Sequence, residues 1–145
     1  PNATIVQTHR DPAVSLASLI KLMLDVWGAS TVMDKRKTAA EIVGWVSTAM
    51  NRCLHARERL QLDGRILDVR YEDVRTDIMP IVGEIYRRSG RTLSAKALVA
   101  MTQWEAANEQ GKLGTHHYRL DEYGLDVESI NRAFSAYNEK FSTLF

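Results

Sequence analysis

Ile5-Val6-Gln7-Thr8-His9-Arg10-Asp11-Pro12-Ala13-Val14-Ser15-Leu16-Ala17-Ser18-Leu19 is the stretch that decides how this chain folds. It opens with Thr4-Ile5-Val6-Gln7-Thr8, a β-branched run that reads as a strand buried on both faces. Asp11-Pro12 follows as a helix start, with Asp as N-cap and Pro at the first helical position. Leu16, Leu19, Ile20, Met23, Leu24 and Trp27 recur at helical spacing until Gly28. A buried strand thus delivers Arg10 to its carboxyl end, where open α/β sheets bind ligands. Ser18 stands seven residues past Asp11, about 10 Å along a helix at 1.5 Å per residue. An anion touched by both Arg10 and Ser18 would lie beside the helix, not on its N-terminus. A guanidinium fork and a hydroxyl suit a phosphate. The same residues also allow a plain alternative, in which Arg10 pairs with a carboxylate while Asp11 and Ser18 serve only the helix.

Outward from this segment, the spacing predicts a helix over 38–60 after the polar stretch Asp34-Lys35-Arg36-Lys37. Its apolar face is Ile42, Val43, Trp45, Val46, Ala49, Met50, Cys53 and Leu54, and Trp27, Trp45, Met23 and Met50 read as helix core. Ile66 to Tyr71 reads as a second strand. Helices over 80–89 and 94–108 follow, the latter capped by Ser94. An irregular stretch over 111–124 leads to a last helix over 126–138, capped by Asp126. Two strands separated by two helices leave sheet edges open, so a partner chain or further sequence is expected to complete the sheet. Self-association would serve the same purpose.

The remaining bounds come from composition. The chain has 145 residues, one domain's length, with 19 Lys and Arg against 18 Asp and Glu. A net charge of +1 argues against nucleic acid as a partner. Cys53 is the single cysteine, which excludes an intramolecular disulfide and any multi-cysteine metal site. Its solitude favours a reducing compartment, and with no apolar run near 20 residues a cytoplasmic location is expected. His116 and His117 are adjacent and lack further ligands at metal spacing, so a loop-fixing role is expected and no metal. His9 is expected at the border of the pocket and His55 on a helix surface or in the core. The Gly83 to Gly90 segment has the wrong spacing for a phosphate loop and reads as a helix with its glycine stop.

Ile-Val-x-x-x-Arg-Asp-Pro with Ser eight residues after the Arg resembles the 3′-phosphate-binding strand–turn–helix of sulfotransferases. Those enzymes use 3′-phosphoadenosine 5′-phosphosulfate (PAPS). Val69-Arg70-Tyr71-Glu72-Asp73-Val74 is similar to the family's strand ending in Tyr-Glu-Asp-Leu, and Ile85-Tyr86 to Gly90 to the helix after it. Trp104 with Asn108, then Gly111-Lys112-Leu113-Gly114-Thr115-His116-His117-Tyr118, resembles the cofactor-covering loop. Tyr123-Gly124-Leu125-Asp126, Phe134, Tyr137 and Phe141 match the closing helix of bacterial members.

The resemblance implies an α/β fold of the nucleotide-kinase-like type, present as a helix-rich fragment with two parallel strands. Residues 1–145 would be the C-terminal part of one sulfotransferase domain, with the 3′-phosphate site in 4–28. Arg10 and Ser18 would hold the 3′-phosphate of PAPS or of its product, adenosine 3′,5′-bisphosphate. Tyr71 would lie near the adenine, or be simply a half-buried strand tyrosine. Lys112 would be the basic residue of the covering loop, although Glu109-Gln110 stand where many relatives carry Arg-Lys. The acceptor would be a hydroxyl or amine of a small molecule, lipid or sugar. The glycine-containing 5′-phosphosulfate loop would precede Pro1, so Pro1 reads as a cut and the chain alone as inactive. No catalytic residue is assigned. The alternative is a catalytically inactive helical interaction or oligomerisation module with a vestigial nucleotide site.

Overall fold

The computed structural model describes residues 3–29, 32–108 and 119–145. Strand β1 (Ile5–His9) leads through Arg10 and Asp11 into helix α1 (Pro12–Gly28). The Asp11 carboxylate accepts the Ala13 amide at 2.7 Å, and Pro12, with no amide hydrogen to lose, takes the first helical position. Helix α2 (Lys35–Arg59) begins three residues before the expected 38. Asp34 accepts the Arg36 and Lys37 amides at 3.0 and 3.1 Å, so the polar stretch is a cap and first turn, not a linker.

A 3₁₀ turn at Asp63–Arg65 leads into strand β2 (Ile66–Arg70). The two strands pair in parallel with Ile5 opposite Ile66 and His9 opposite Arg70. The long crossover through α1 and α2 is what parallel pairing requires. The strand expected over 66–71 stops at Arg70, because Tyr71 already opens helix α3 (Tyr71–Thr76). Glu72 and Asp73 sit in that first turn, where carboxylates favour a helix start.

Helices α4 (Met79–Arg88) and α5 (Ala95–Ala107) follow, with Ser94 capping α5 through the Ala97 amide at 3.2 Å. In place of one helix over 126–138 there are two, α6 (Val127–Ala133) and α7 (Ser135–Phe141). Phe134 interrupts them with φ −109 and ψ 20, yet its amide still bonds the Ile130 carbonyl. Asp126 and Ser129 form a reciprocal capping box at the start of α6.

The core is built by α1, α2, α6 and α7. Leu16, Ile20 and Leu24 recur every four residues down one face of α1 and meet Ala39 and Ile42 of α2. Ile130, Phe134, Tyr137 and Phe141 close over them from the C-terminal side. Two expectations are corrected. β1 is not buried on both faces: Ile5 and Val6 are 44% and 39% exposed, since the described residues give β1 a single neighbouring strand. On α2 the buried stripe runs through Ala39, Ile42 and Arg57, which turns the flanking row of Trp45, Ala49 and Cys53 outward. Trp45 is 58% exposed and meets Trp27 edge-on at 6.2 Å.

Candidate functional site

The carboxyl end of β1 brings an arginine, several hydroxyls and an aromatic ring together. Arg10 follows the strand directly, and its guanidinium lies over the Tyr71 ring, 4.4 Å from the centroid. Among the described residues Arg10 pairs with no carboxylate, so the alternative of a simple ion pair is not what forms.

Arg10, Ser18 and Tyr71 share the wall of a cavity of about 340 Å³. Thr8, Ser15 and Tyr137 add polar groups to it, and Leu19, Met50 and Phe134 an apolar floor. Among the described residues no carboxylate lines this cavity. A guanidinium, several hydroxyls and no competing anion form a surface suited to a phosphate. The apolar floor and the tyrosine ring suit a flat base. On the other side of Arg10 and Ser18 lies a second cavity of about 630 Å³, lined also by Asp11, Asp121 and Asp126. Three carboxylates make it the poorer seat for an anion.

The residues beneath Arg10 form a buried polar network. Arg57 is 2% exposed and forks onto Asp68, with Nη1 to Oδ1 and Nη2 to Oδ2 both at 2.7 Å. It also donates to Asp63 at 2.9 Å and to the Gln7 side chain at 3.0 Å, and its guanidinium lies 5.0 Å from the Phe141 ring centroid. The bond to Asp68 raises the guanidinium above its ordinary range, against burial, which lowers it. Burial pushes the Asp68 carboxyl up, but hydrogen bonds from Arg57 and then His9 outweigh it and hold it below the usual carboxylate range. Lys140 first, and then Arg57, hold the exposed Asp63 low as well.

His9 is fully buried. It bonds Asp68 through Nε2 at 2.8 Å and the Tyr137 hydroxyl through Nδ1 at 2.9 Å, with the Phe141 ring 4.1 Å away. It lies beneath the cavity and not at its border, because β1 alternates: Thr8 faces out and His9 in. Burial pushes the Tyr137 hydroxyl up to about 12, against a smaller lowering by the backbone at Arg10.

The expected site residues therefore divide. The fold brings Arg10, Ser18 and Tyr71 to one cavity. Lys112, His116 and His117 lie outside the described residues. His55 is exposed on α2, as is the free Cys53. Ser15 could have been found from the sequence, since it stands three residues before Ser18 on the same helical face. Arg57 could not, because its partners Asp63, Asp68 and Gln7 converge only in three dimensions. The described residues contain no cluster of three metal-ligating side chains and no helix long and apolar enough to cross a membrane.

Comparison with known proteins adds independent findings. A family model described as the sulfotransferase family matches residues 1–95. The fold is similar to that of sulfotransferase STF9 from Mycobacterium avium, with 28% identity and a TM-score of 0.82 over 96% of this chain and 36% of that one. It is also similar to sulfotransferase STF1 from Mycobacterium tuberculosis H37Rv, with 32% identity and a TM-score of 0.71 over 94% of this chain and 34% of that one. The chain spans about a third of the length of these structures. A search of curated proteins returns no match.

Proposed function

This chain belongs to the sulfotransferase family, and on that premise we propose that it carries the 3′-phosphate half of a PAPS site. The observation that carries the reading is the cavity shared by Arg10, Ser18 and Tyr71, which among the described residues holds no carboxylate and leaves the Arg10 guanidinium without an acidic partner. Arg10 would bind the 3′-phosphate by a charge-assisted fork, with Ser18 donating its hydroxyl beside it. Tyr71 would border the adenine while its ring holds the guanidinium in place. The covering loop with Lys112 would close over the same phosphate.

When bound, PAPS supplies a sulfonate group to a hydroxyl or amine acceptor and leaves as adenosine 3′,5′-bisphosphate. The acceptor class is a small molecule, lipid or sugar. The residues of this chain anchor and orient the nucleotide, and remote binding of this kind turns a bimolecular encounter into an oriented one. Charge stabilisation at the transferring group and the base for the acceptor would come from the 5′-phosphosulfate loop and its surroundings. In this reading residues 1–145 are the C-terminal part of a single cytoplasmic sulfotransferase domain, and the chain alone turns nothing over.

Titration of adenosine 3′,5′-bisphosphate into the wild-type chain and the Arg10→Ala and Ser18→Ala variants tests the assignment. Arg10→Ala should weaken binding by at least tenfold, on the scale of a charge-assisted hydrogen bond at about 1.5–3 kcal/mol. Ser18→Ala should have a smaller effect. Equal binding by all three would remove the proposal.

One observation favours a second reading, that of a helical interaction module. Among the described residues α4 and α5 have no fully buried side chain; Leu98, Val99 and Trp104 of α5 are exposed, and Trp104 lines an open cavity of about 1000 Å³. That reading expects concentration-dependent association with no nucleotide affinity, and sedimentation with and without nucleotide separates the two.

A further inference from the structure

Arg10 and Ser18 stand on a ridge between two cavities, since both residues line each of them. An anion gripped by this pair has two sides to choose from, and the residues that differ between the sides decide. Ser15 lines only the cavity of about 340 Å³, together with Thr8 and Tyr71. Val14 and Ala17, on the adjoining face of α1, line only the cavity of about 630 Å³. That second side offers Asp11, Asp121 and Asp126 and, among the described residues, no hydroxyl except that of Ser18. An anion seated there would meet carboxylates and a single hydroxyl.

Along α1, Ser15 falls between the two residues of the pair. It stands four residues past Asp11, about 6 Å along the axis, whereas Ser18 is about 10 Å along it. Residues three apart share a helix face, with Cβ atoms about 5–6 Å from each other. A phosphate that reaches from Arg10 to Ser18 through the smaller cavity therefore passes Ser15. The hydroxyl is also available. A serine or threonine inside a helix commonly gives its hydrogen to a carbonyl one turn back. Ser47 does so to Gly44 at 3.1 Å, and Thr102 to Leu98 at 3.0 Å. Neither the Ser15 nor the Ser18 hydroxyl has a protein partner among the described residues. The arginine fork and the two serines can thus turn their hydrogens on all the terminal oxygens of a phosphate monoester.

We propose that Ser15 is a further ligand of the 3′-phosphate, and that its hydroxyl seats the phosphate in the smaller cavity and not in the one across Arg10. The proposal rests on the reading of Arg10 and Ser18 as 3′-phosphate ligands, and its test tells the two apart. Adenosine 3′,5′-bisphosphate and adenosine 5′-monophosphate are titrated into the wild-type, Arg10→Ala and Ser15→Ala chains. The ratio of the two affinities forms a double-mutant cycle between each side chain and the 3′-phosphate, so contacts with the rest of the nucleotide cancel. Ser15→Ala breaks no hydrogen bond of the described fold and installs the best helix former, so its melting temperature should not fall below wild type.

The wild type should prefer the bisphosphate, and Arg10→Ala should lose most of that preference. Ser15→Ala should reduce it about fivefold, the scale of one hydrogen bond. In phosphorus NMR of the bound bisphosphate, the 3′ signal should differ between wild type and Ser15→Ala while the 5′ signal stays in place. A wild type with no preference, or an undiminished preference in Arg10→Ala, removes the Arg10 reading and this proposal with it. A preference that Arg10→Ala loses and Ser15→Ala keeps overturns the role of Ser15 and leaves the Arg10 reading standing. So does a Ser15→Ala chain in which both affinities fall alike.

Discussion

Helices α1, of 17 residues, and α5, of 13, are both rich in apolar side chains, yet one is the spine of the core and the other has no fully buried residue. α1 places Leu16, Ile20 and Leu24 in a row four residues apart, and the row meets a matching row on α2 and the aromatic face of α6 and α7. α5 spreads Leu98, Val99, Met101 and Trp104 around its circumference, with Trp104 70% exposed. Apolar residues stabilise a helix only where they converge on a face that another element covers. The same division governs polar groups. Below the strand end the buried Arg57 and the half-buried Asp68 are fully bonded to one another and their neighbours, whereas on α3 and α4 the pairs Glu72–Arg75 and Glu84–Arg87 are solvent-facing. The first kind is fixed by its surroundings; the second is screened by solvent and adds little.

The largest expected effect is at the junction of the two regions. Arg57→Ala removes a buried guanidinium and leaves the partly exposed Asp68 without its fork, and should cost up to about 3–5 kcal/mol in chemical denaturation. A cost below about 1 kcal/mol would mean the network is ornamental. Ile20→Ala, at a fully buried position, should cost about 2–5 kcal/mol. The pH dependence of stability sharpens the contrast from another side. Tyr137 ionises at about 12 in the folded chain against an ordinary 10.0, so the folded state keeps its proton longer than the unfolded one. Its contribution is whole below pH 10 and is lost as pH rises from 10 to 12. The loss amounts to about 2–3 kcal/mol. Tyr137→Phe should lack that decline, and subtracting its curve from the wild type removes the smaller part due to Tyr123, whose hydroxyl is also raised by burial. Smallest is Trp104→Ala on α5, expected within about 0.5 kcal/mol of wild type. If it matched Ile20→Ala, the distinction between the two regions would be broken.

What could be read from the sequence follows the same line. Asp11-Pro12, Ser94 and Asp126 announce helix starts because caps act within three residues. The four-residue recurrence in α1 announces its buried face for a similar reason. The placement of Arg10 and Ser18 together was legible as well, since both belong to one strand–turn–helix. Arg57 was illegible: a lone arginine near the end of a basic helix segment gives no sign that Gln7, Asp63 and Asp68 will surround it. The inward turn of His9 was missed because the strand's alternation places it on the face that α7 covers, and α7 is 128 residues away in sequence at Tyr137. The exposure of Ile5 and Val6 was missed for the opposite reason. A β-branched run states that a residue suits a strand, not that something covers it.

The central claim is that Arg10, its guanidinium lying over the Tyr71 ring, grips a nucleotide 3′-phosphate. Calorimetric titration of adenosine 3′,5′-bisphosphate against wild type and Arg10→Ala tests it most directly. At least a tenfold loss in the variant, with adenosine 5′-monophosphate binding unchanged, is the expected result. Equal affinity of the two chains for the bisphosphate would contradict the account.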